Sequence, residues 1–334
     1  MKLGEMDDTD RTLLVLFAAN PRIHFKELAK SLGISRQAVH HRIQVLKETG
    51  VIIGITAGIS FAYLDAVPVM VFGRSRTASV EETLDRLGEC EFTRRAVVAG
   101  GNYLYVVGEL RTISELDGYV EFVKRAAGMQ ESTVGIPCFD DSLSPSYAVD
   151  GVVERKQSYK ELSPLDLRII ASLKDDARRP IADIADMVGA SAKTVRRHLE
   201  DMISGGSLEL HVLMDNTSSG PILSAVHVNL KDGANKGEVG RRLLSKCPSH
   251  PAYVRVFSNL PGFLALVFWS DKMTEIRKVF REIGEDTDVL AVMLNFGYLE
   301  RIYNTTWRDK LPEVRAHPSK KVRTHNVRSG PRKQ

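Results

Sequence analysis

Two stretches of this chain, residues 10–50 and 166–206, align without a gap at a constant offset of 156. Asp10 meets Asp166, Arg22 meets Arg178, Ala29 meets Ala185, Gly33 meets Gly189, Ser35 meets Ser191, Val39 meets Val195 and Gly50 meets Gly206. Self-similarity at a fixed period marks a duplicated chain, so the second copy must fold as the first does.

The first copy reads as a helix-turn-helix. "DRTLLVLFAAN" places Leu13, Leu14, Phe17 and Ala18 on one face at helical spacing. Pro21 ends that helix, because proline disfavours the helical region for the residue before it. "FKELAKSL" is a second helix burying Leu28 and Ala29, and Gly33 supplies a turn that needs free φ. Ser35 is the expected N-cap of a third helix, "RQAVHHRIQVLKETG", closed by Gly50. Val39, Ile43 and Leu46 point inward at i, i+4, i+7, leaving Arg36, Gln37, His40, His41 and Lys47 outward. "VIIGITAGI" then alternates as a short hairpin or wing.

The second copy keeps this logic with different outward residues. Ser191 caps "AKTVRRHLEDMISGG", with Val195, Leu199 and Met202 inward and Lys193, Thr194, Arg196 and Arg197 outward. Basic and amide side chains near the start of such a helix reach base edges, and arginines farther along hold phosphates. The expected double-stranded DNA contacts are therefore Ser35, Arg36, Gln37, His40 and His41, with Arg42 and Lys47 nearer phosphate. Lys193, Thr194, Arg196 and Arg197 do the same in the second copy.

Charge is unevenly spread. The chain of 334 residues has 46 Lys and Arg against 42 Asp and Glu, a net of +4. Seven of the basic residues and no acid follow Glu313, so residues 1–313 carry a net of −3. The tail, 313–334, reads as a basic disordered arm able to neutralise phosphates without reading sequence. Cys90, Cys138 and Cys247 are far apart and odd in number, which argues against a disulfide framework or zinc site and for a reducing cytoplasm. No apolar run reaches membrane-spanning length and the charged N-terminus is no signal peptide. No nucleophile–base set, phosphate loop or metal cluster is evident, so no catalytic residue, metal or cofactor is expected.

A second unit also repeats. "VPVMVF" is a strand, followed by a helix with Val80, Leu84 and Leu87, then strands "FTRRAVVA" and "YLYVVGEL" around a Gly100-Gly101-Asn102 turn. A helix burying Ile113, Leu116, Val120 and Val123 and a closing strand "TVGIPCF" complete β-α-β-β-α-β. The C-terminal counterpart runs "SAVHVNL", "KGEVGRRLLSK", "AYVRVF", "FLALVFW", a helix with Met273, Ile276, Phe280 and Ile283, and "VLAVMLNF". The fold class is thus α+β: two winged helix-turn-helix domains alternating with two ferredoxin-like domains. The expected boundaries are 1–60, 61–139, a linker 140–164, 165–218, 219–312 and the tail 313–334.

The order helix-turn-helix, wing, ferredoxin-like unit resembles the Lrp/AsnC (leucine-responsive, feast/famine) transcriptional regulators. The likeness rests on "DDTDRTLLVLFAANPRIHFKELAKSLGISRQAVHHRIQVLKETGVIIG" and "VAGGNYLYVVGEL". The tandem form resembles long regulators of some archaea. The resemblance implies a cytoplasmic regulator of metabolic genes whose sheet units pair into dimers or higher oligomers. It also implies a small effector such as an amino acid, bound near Gly100, Gly101 and Asn102. The family's usual aspartate after the aromatic of that turn is here Leu104, following Tyr103.

A second resemblance belongs to another class. Siroheme decarboxylases share this two-unit architecture, and the nearest stretch to theirs here is "SHPAYVRVFSNLPGF", with His250, Tyr253 and Arg255. A third reading is an oligomerisation scaffold in which only the first helix-turn-helix meets DNA. Outward basic residues on the third helix of both copies favour the regulator. The differing outward sets predict an assembly whose preferred DNA site has unlike halves.

Overall fold

The computed structural model describes residues 6–138, 159–215, 221–247, 252–303 and 306–316, with backbone alone for 313–316. The first module comprises α1 (Asp8–Ala19), α2 (Phe25–Leu32) and α3 (Arg36–Glu48), then strand β1 (Ile52–Ile59). The first sheet unit follows: β2 (Val67–Arg74), α4 (Val80–Gly88), β3 (Thr93–Ala99), β4 (Tyr103–Leu110), α5 (Leu116–Ala126), β5 (Ser132–Gly135) and β6 (Pro137–Cys138). The second module holds α6 (Pro164–Ser172), α7 (Ile181–Val188), α8 (Ala192–Gly205) and β7 (Leu208–Met214). Its sheet unit is β8 (Ile222–Leu230), α9 (Lys236–Leu244), β9 (Ala252–Phe257), β10 (Phe263–Ser270), α10 (Met273–Gly284) and β11 (Val289–Ile302). Helix α11 (Trp307–Ala316) follows.

The expected helices form for the expected reasons. Gly33 and Gly189 both sit at φ +66°, the left-handed conformation that lets α2 and α7 stop and the next helix turn away. The Ser35 and Ser191 hydroxyls accept from Ala38 N at 3.0 Å and Thr194 N at 3.1 Å. Val39, Ile43 and Leu46 are buried in α3, as are Val195, Leu199 and Met202 in α8. The sheet-unit helices bury slightly different faces from those read in the sequence. Ile113 lies in a 3₁₀ turn ahead of α5 and Met273 opens α10; both are exposed, while Tyr119 and Val279 take buried positions.

The two modules are not separate bodies. Leu13, Phe17, Leu28 and Val39 share one continuous core with Leu167, Ile170, Ile184 and Val195. The wing expectation changes accordingly: β1 makes no hairpin of its own but pairs antiparallel with β7, from Gly54↔Leu213 to Ile59↔Leu208. With equivalent residues 156 apart, Ile55↔Val212 and Thr56↔His211 are the same pair seen from either side, so the ribbon has a pseudo-two-fold axis. The same symmetry governs Arg22 and Arg178. Arg22 donates to the carbonyls of Ala177 (2.5 Å) and Arg179 (3.3 Å), and Arg178 to those of Pro21 (2.6 Å) and Ile23 (3.1 Å). Arg178 also lies over the Phe17 and Phe25 rings. Burial of these two guanidiniums lowers their pKa values from the ordinary arginine range.

The sheet units also join within the chain. Their strands make one nine-stranded order, β5-β2-β4-β3-β11-β8-β10-β9-β6. Only Ile136 separates β5 from β6, so the two ends of that order meet and the sheet closes on itself. "TVGIPCF" is therefore one extended stretch with two partners: β5 pairs with β2 of its own unit and β6 with β9 of the other. Strand β11 repeats this, pairing with β8 over Val289–Gly297 and with β3 over Gly297–Ile302. Closure removes the free sheet edges that would otherwise invite a partner.

Inside this closed sheet, the rings of Phe72, Tyr103, Tyr105 and Phe263 contact a buried histidine, His227, and Phe257 packs against Phe72 and Phe263. Asn295 Nδ2 donates to Tyr105 Oη at 2.6 Å, so the phenol proton is directed to His227 Nε2, 2.8 Å away. That arrangement holds a neutral imidazole, and burial pushes its pKa down to about 4. An unfolded histidine titrates near 6.5. This stabilisation is intact above about pH 6.5 and is lost as pH falls toward 4, by about 3 kcal/mol in total. The variant His227→Phe is expected to flatten the stability profile over that window, measured by urea unfolding at successive pH values. An unchanged profile would contradict the assignment.

Helix α11 corrects the tail boundary, since it runs to Ala316, into the stretch expected to be disordered; residues 317–334 lie outside those described. Arg308 on α11 is buried and binds Glu109 of β4 (2.8 and 3.1 Å) and Glu209 of β7 (3.2 Å). Glu209 also accepts from the backbone N–H of Phe61, and Trp307 Nε1 donates to the Glu109 carbonyl. One cation thus joins the first sheet unit, the cross-module ribbon and the C-terminal helix.

Candidate DNA interface

The third helices carry the expected surface. Arg36, Gln37, His40, His41 and Lys47 are exposed on α3, and Lys193, Arg196 and Arg197 on α8. Among the described residues, no carboxylate pairs with Arg36, Lys47, Lys193, Arg196 or Arg197. The cations are thus available to an external anion. His40 packs edge-on against Phe25, ring centroids 6.0 Å apart, which steadies its direction.

Three expected contacts are used otherwise. The Arg42 guanidinium is held by Asp7 (2.9 Å) and Asp10 (2.7 Å), the carboxylates that cap the start of α1, so it ties α1 to α3 rather than facing phosphate. These carboxylates raise its pKa above the ordinary arginine value, with some opposition from burial. Thr194 is half-buried and its hydroxyl bonds to that of Ser191 at 2.8 Å, inside the cap. The Ser35 hydroxyl likewise accepts from the helix it caps.

The second module repeats the Arg42 clamp with an imidazole in place of the guanidinium. His198 stands at the position equivalent to Arg42, and its Nδ1 lies 2.7 Å from Asp166, the equivalent of Asp10. Burial raises the Asp166 pKa, but hydrogen bonds from Ser163 and His198 outweigh it and leave the carboxyl below its usual range. Sequence reasoning missed this pair. The signal was present in part: the aspartate recurs at the offset of 156 as Asp10 and Asp166, while Arg42 is replaced by His198.

The Gly100-Gly101-Asn102 turn is exposed, with Gly101 at φ +67° and Asn102 at φ +56°. The Asn102 carbonyl accepts from Ser75 N at 2.8 Å, and the Arg74 guanidinium is near Gly101. Of the residues weighed for enzyme chemistry, Arg255 stacks over Tyr253 at 5.4 Å, while His250 lies outside the described residues. Among the described residues no three His, Cys, Asp or Glu gather as a metal would require, and no helix is long and apolar enough to cross a membrane.

Comparison with known proteins accords with this geometry. A family model described as winged helix-turn-helix DNA-binding matches residues 6–53 and again 162–206, which are the two modules. The HTH-type transcriptional regulator LrpA of Pyrococcus horikoshii is 33% identical over 100 residues, covering 30% of this chain and 71% of its own length. The regulator Ptr1 of Methanocaldococcus jannaschii is 34% identical over 87 residues, covering 26% and 59%. The chain belongs to the Lrp/AsnC family of transcriptional regulators. As a member of that family it departs from the single-unit relatives by carrying the whole plan twice. For the full length, the crystal structure of the siroheme decarboxylase NirDL superposes at a TM-score of 0.59 over 91% of this chain and 96% of that one. Its identity is 15%, so what this Lrp/AsnC-family chain shares with it is the fold.

Proposed function

We propose that this Lrp/AsnC-family chain reads double-stranded DNA with both modules, α3 and α8 entering the major groove, and acts on transcription of metabolic genes without chemistry of its own. The observation that carries this reading is the pair of exposed, uncompensated basic faces on two helices held in one rigid core. A retired DNA-binding unit would have no reason to keep Lys193, Arg196 and Arg197 exposed and, among the described residues, free of carboxylates. Arg36 and Gln37 sit in the first turn of α3, where side chains reach base edges, and His40 and His41 lie one turn on. Lys47 is placed for phosphate. Ser35 and Thr194 support the helices rather than reading bases.

Replacing Arg36 or Gln37 by alanine is expected to cost about 1–3 kcal/mol at the cognate site and to relax base preference there. Fluorescence anisotropy on cognate and random duplexes tests this; equal losses on both would refute base reading by those residues. A small effector, an amino acid in the family's manner, is assigned to the Gly100-Gly101-Asn102 turn, where Arg74 offers a cation to a carboxylate. Assembly of several chains and an intracellular location belong to the same reading. The self-pairing expected of the sheet units is met inside one chain, so any further association uses other faces.

A further inference from the structure

We infer that one chain, without a second copy, is the complete two-headed reader of an operator with unlike halves, and that it therefore lies on DNA in a single direction. This rests on the proposal that α3 and α8 read DNA.

Three features make the two heads one unit. The β1–β7 ribbon pairs the modules about a pseudo-two-fold axis. Arg22 and Arg178 reciprocally cap each other's loop carbonyls. Phe17, Val39, Ile170 and Val195 belong to a single buried core. A two-fold pair of reading helices matches two half-sites related by the same axis. In this chain both helices are supplied in cis, so no second chain is needed to complete the pair.

The axis is broken where bases would be touched. At the offset of 156, Arg36 faces Ala192 in the alignment, Gln37 faces Lys193, Ala38 faces Thr194, His40 faces Arg196 and His41 faces Arg197. The capping serines are kept and the inward positions stay apolar, whereas the four exposed positions 36, 37, 40 and 41 all differ from their counterparts; Ala38 and Thr194 are half-buried beside the cap. One head offers an arginine and an amide in its first turn and two imidazoles in its second. The other offers an ammonium and then two guanidiniums. Different donor and acceptor sets select different base edges. An operator for this chain then has a first half and a second half that cannot be exchanged, and a bound chain points one way along it. A homodimeric regulator has no such direction.

The test uses the full-length chain and selection from a random duplex library. The expected product is a site of two unlike halves, A and B, bound by one chain per A–B site in native mass spectrometry. On synthetic duplexes, A–B should bind at least about tenfold tighter than A–A or B–B. Equal or tighter binding of A–A or B–B, or two chains on each A–B site, would overturn the inference. Enrichment of no sequence would instead overturn the DNA-reading proposal beneath it. A chain carrying Ala192→Arg, Lys193→Gln, Thr194→Ala, Arg196→His and Arg197→His should reverse the preference to A–A. An unreversed preference in a variant of wild-type helical content would also overturn it.

Discussion

Arg308→Ala is expected to destabilise the chain by about 3–5 kcal/mol, because it leaves two buried carboxylates without their cation. Glu109 and Glu209 side chains are each only 4% exposed, so water cannot replace the guanidinium. The loss should appear as a lower urea midpoint with an unchanged slope. Replacing the whole set, Arg308→Met with Glu109→Gln and Glu209→Gln, should recover most of the stability, since the cost lies in the unpaired charge and not in the absence of an ion pair. A loss below about 1 kcal/mol for Arg308→Ala would mean that the carboxylates find water or another partner.

Phe257→Ala is expected to cost a similar amount, about 3–5 kcal/mol, through a cavity where the two sheets meet. Phe257 is fully buried, packs on Phe72 and Phe263 with centroids 6.0 and 5.8 Å away, and lies against Gly135. A Cβ added at Gly135 would stand 2.2 Å from its ring, which shows how closely backbone and ring approach. Phe257→Leu should lose clearly less than Phe257→Ala, because it restores part of the volume. Equal losses for the two variants would indicate that the ring's edge contacts, rather than filled space, hold the sheets together.

Element identity was legible in the sequence, and element partnership was not. Helical periodicity placed Val39, Ile43 and Leu46 inward, and the turn glycines and capping serines fixed where helices stop and start. Period-two alternation in "VIIGITAGI" identifies a strand but carries no information on its partner, which lies beyond residue 207. "TVGIPCF" shows the same limit, because its change of partner at Ile136 leaves no mark in composition. Arg42 reads as a phosphate contact from its place on the helix, and the carboxylates that hold it belong to the start of a different helix. His227 sits in an apolar strand and would pass for a core residue. Its polar neighbours, Tyr105 and Asn295, are supplied by strands remote in sequence.

The interior between the sheets bears on how the halves could ever part. In register, Phe72 lies opposite Tyr105 in the first unit where His227 lies opposite Ala265 in the second. Gly135 lies opposite Met70 where Asn295 lies opposite Ala225. The set Tyr105, His227 and Asn295 therefore draws one member from each equivalent pair, and Ala265, Phe72 and Gly135 are the members left out. Two copies of the first half would bring together Tyr105 hydroxyls with no imidazole to accept them. Two copies of the second would bury His227 beside alanine. Within one chain neither half has to fit a copy of itself, and the Tyr105, His227 and Asn295 bonds form only when the two unlike halves meet.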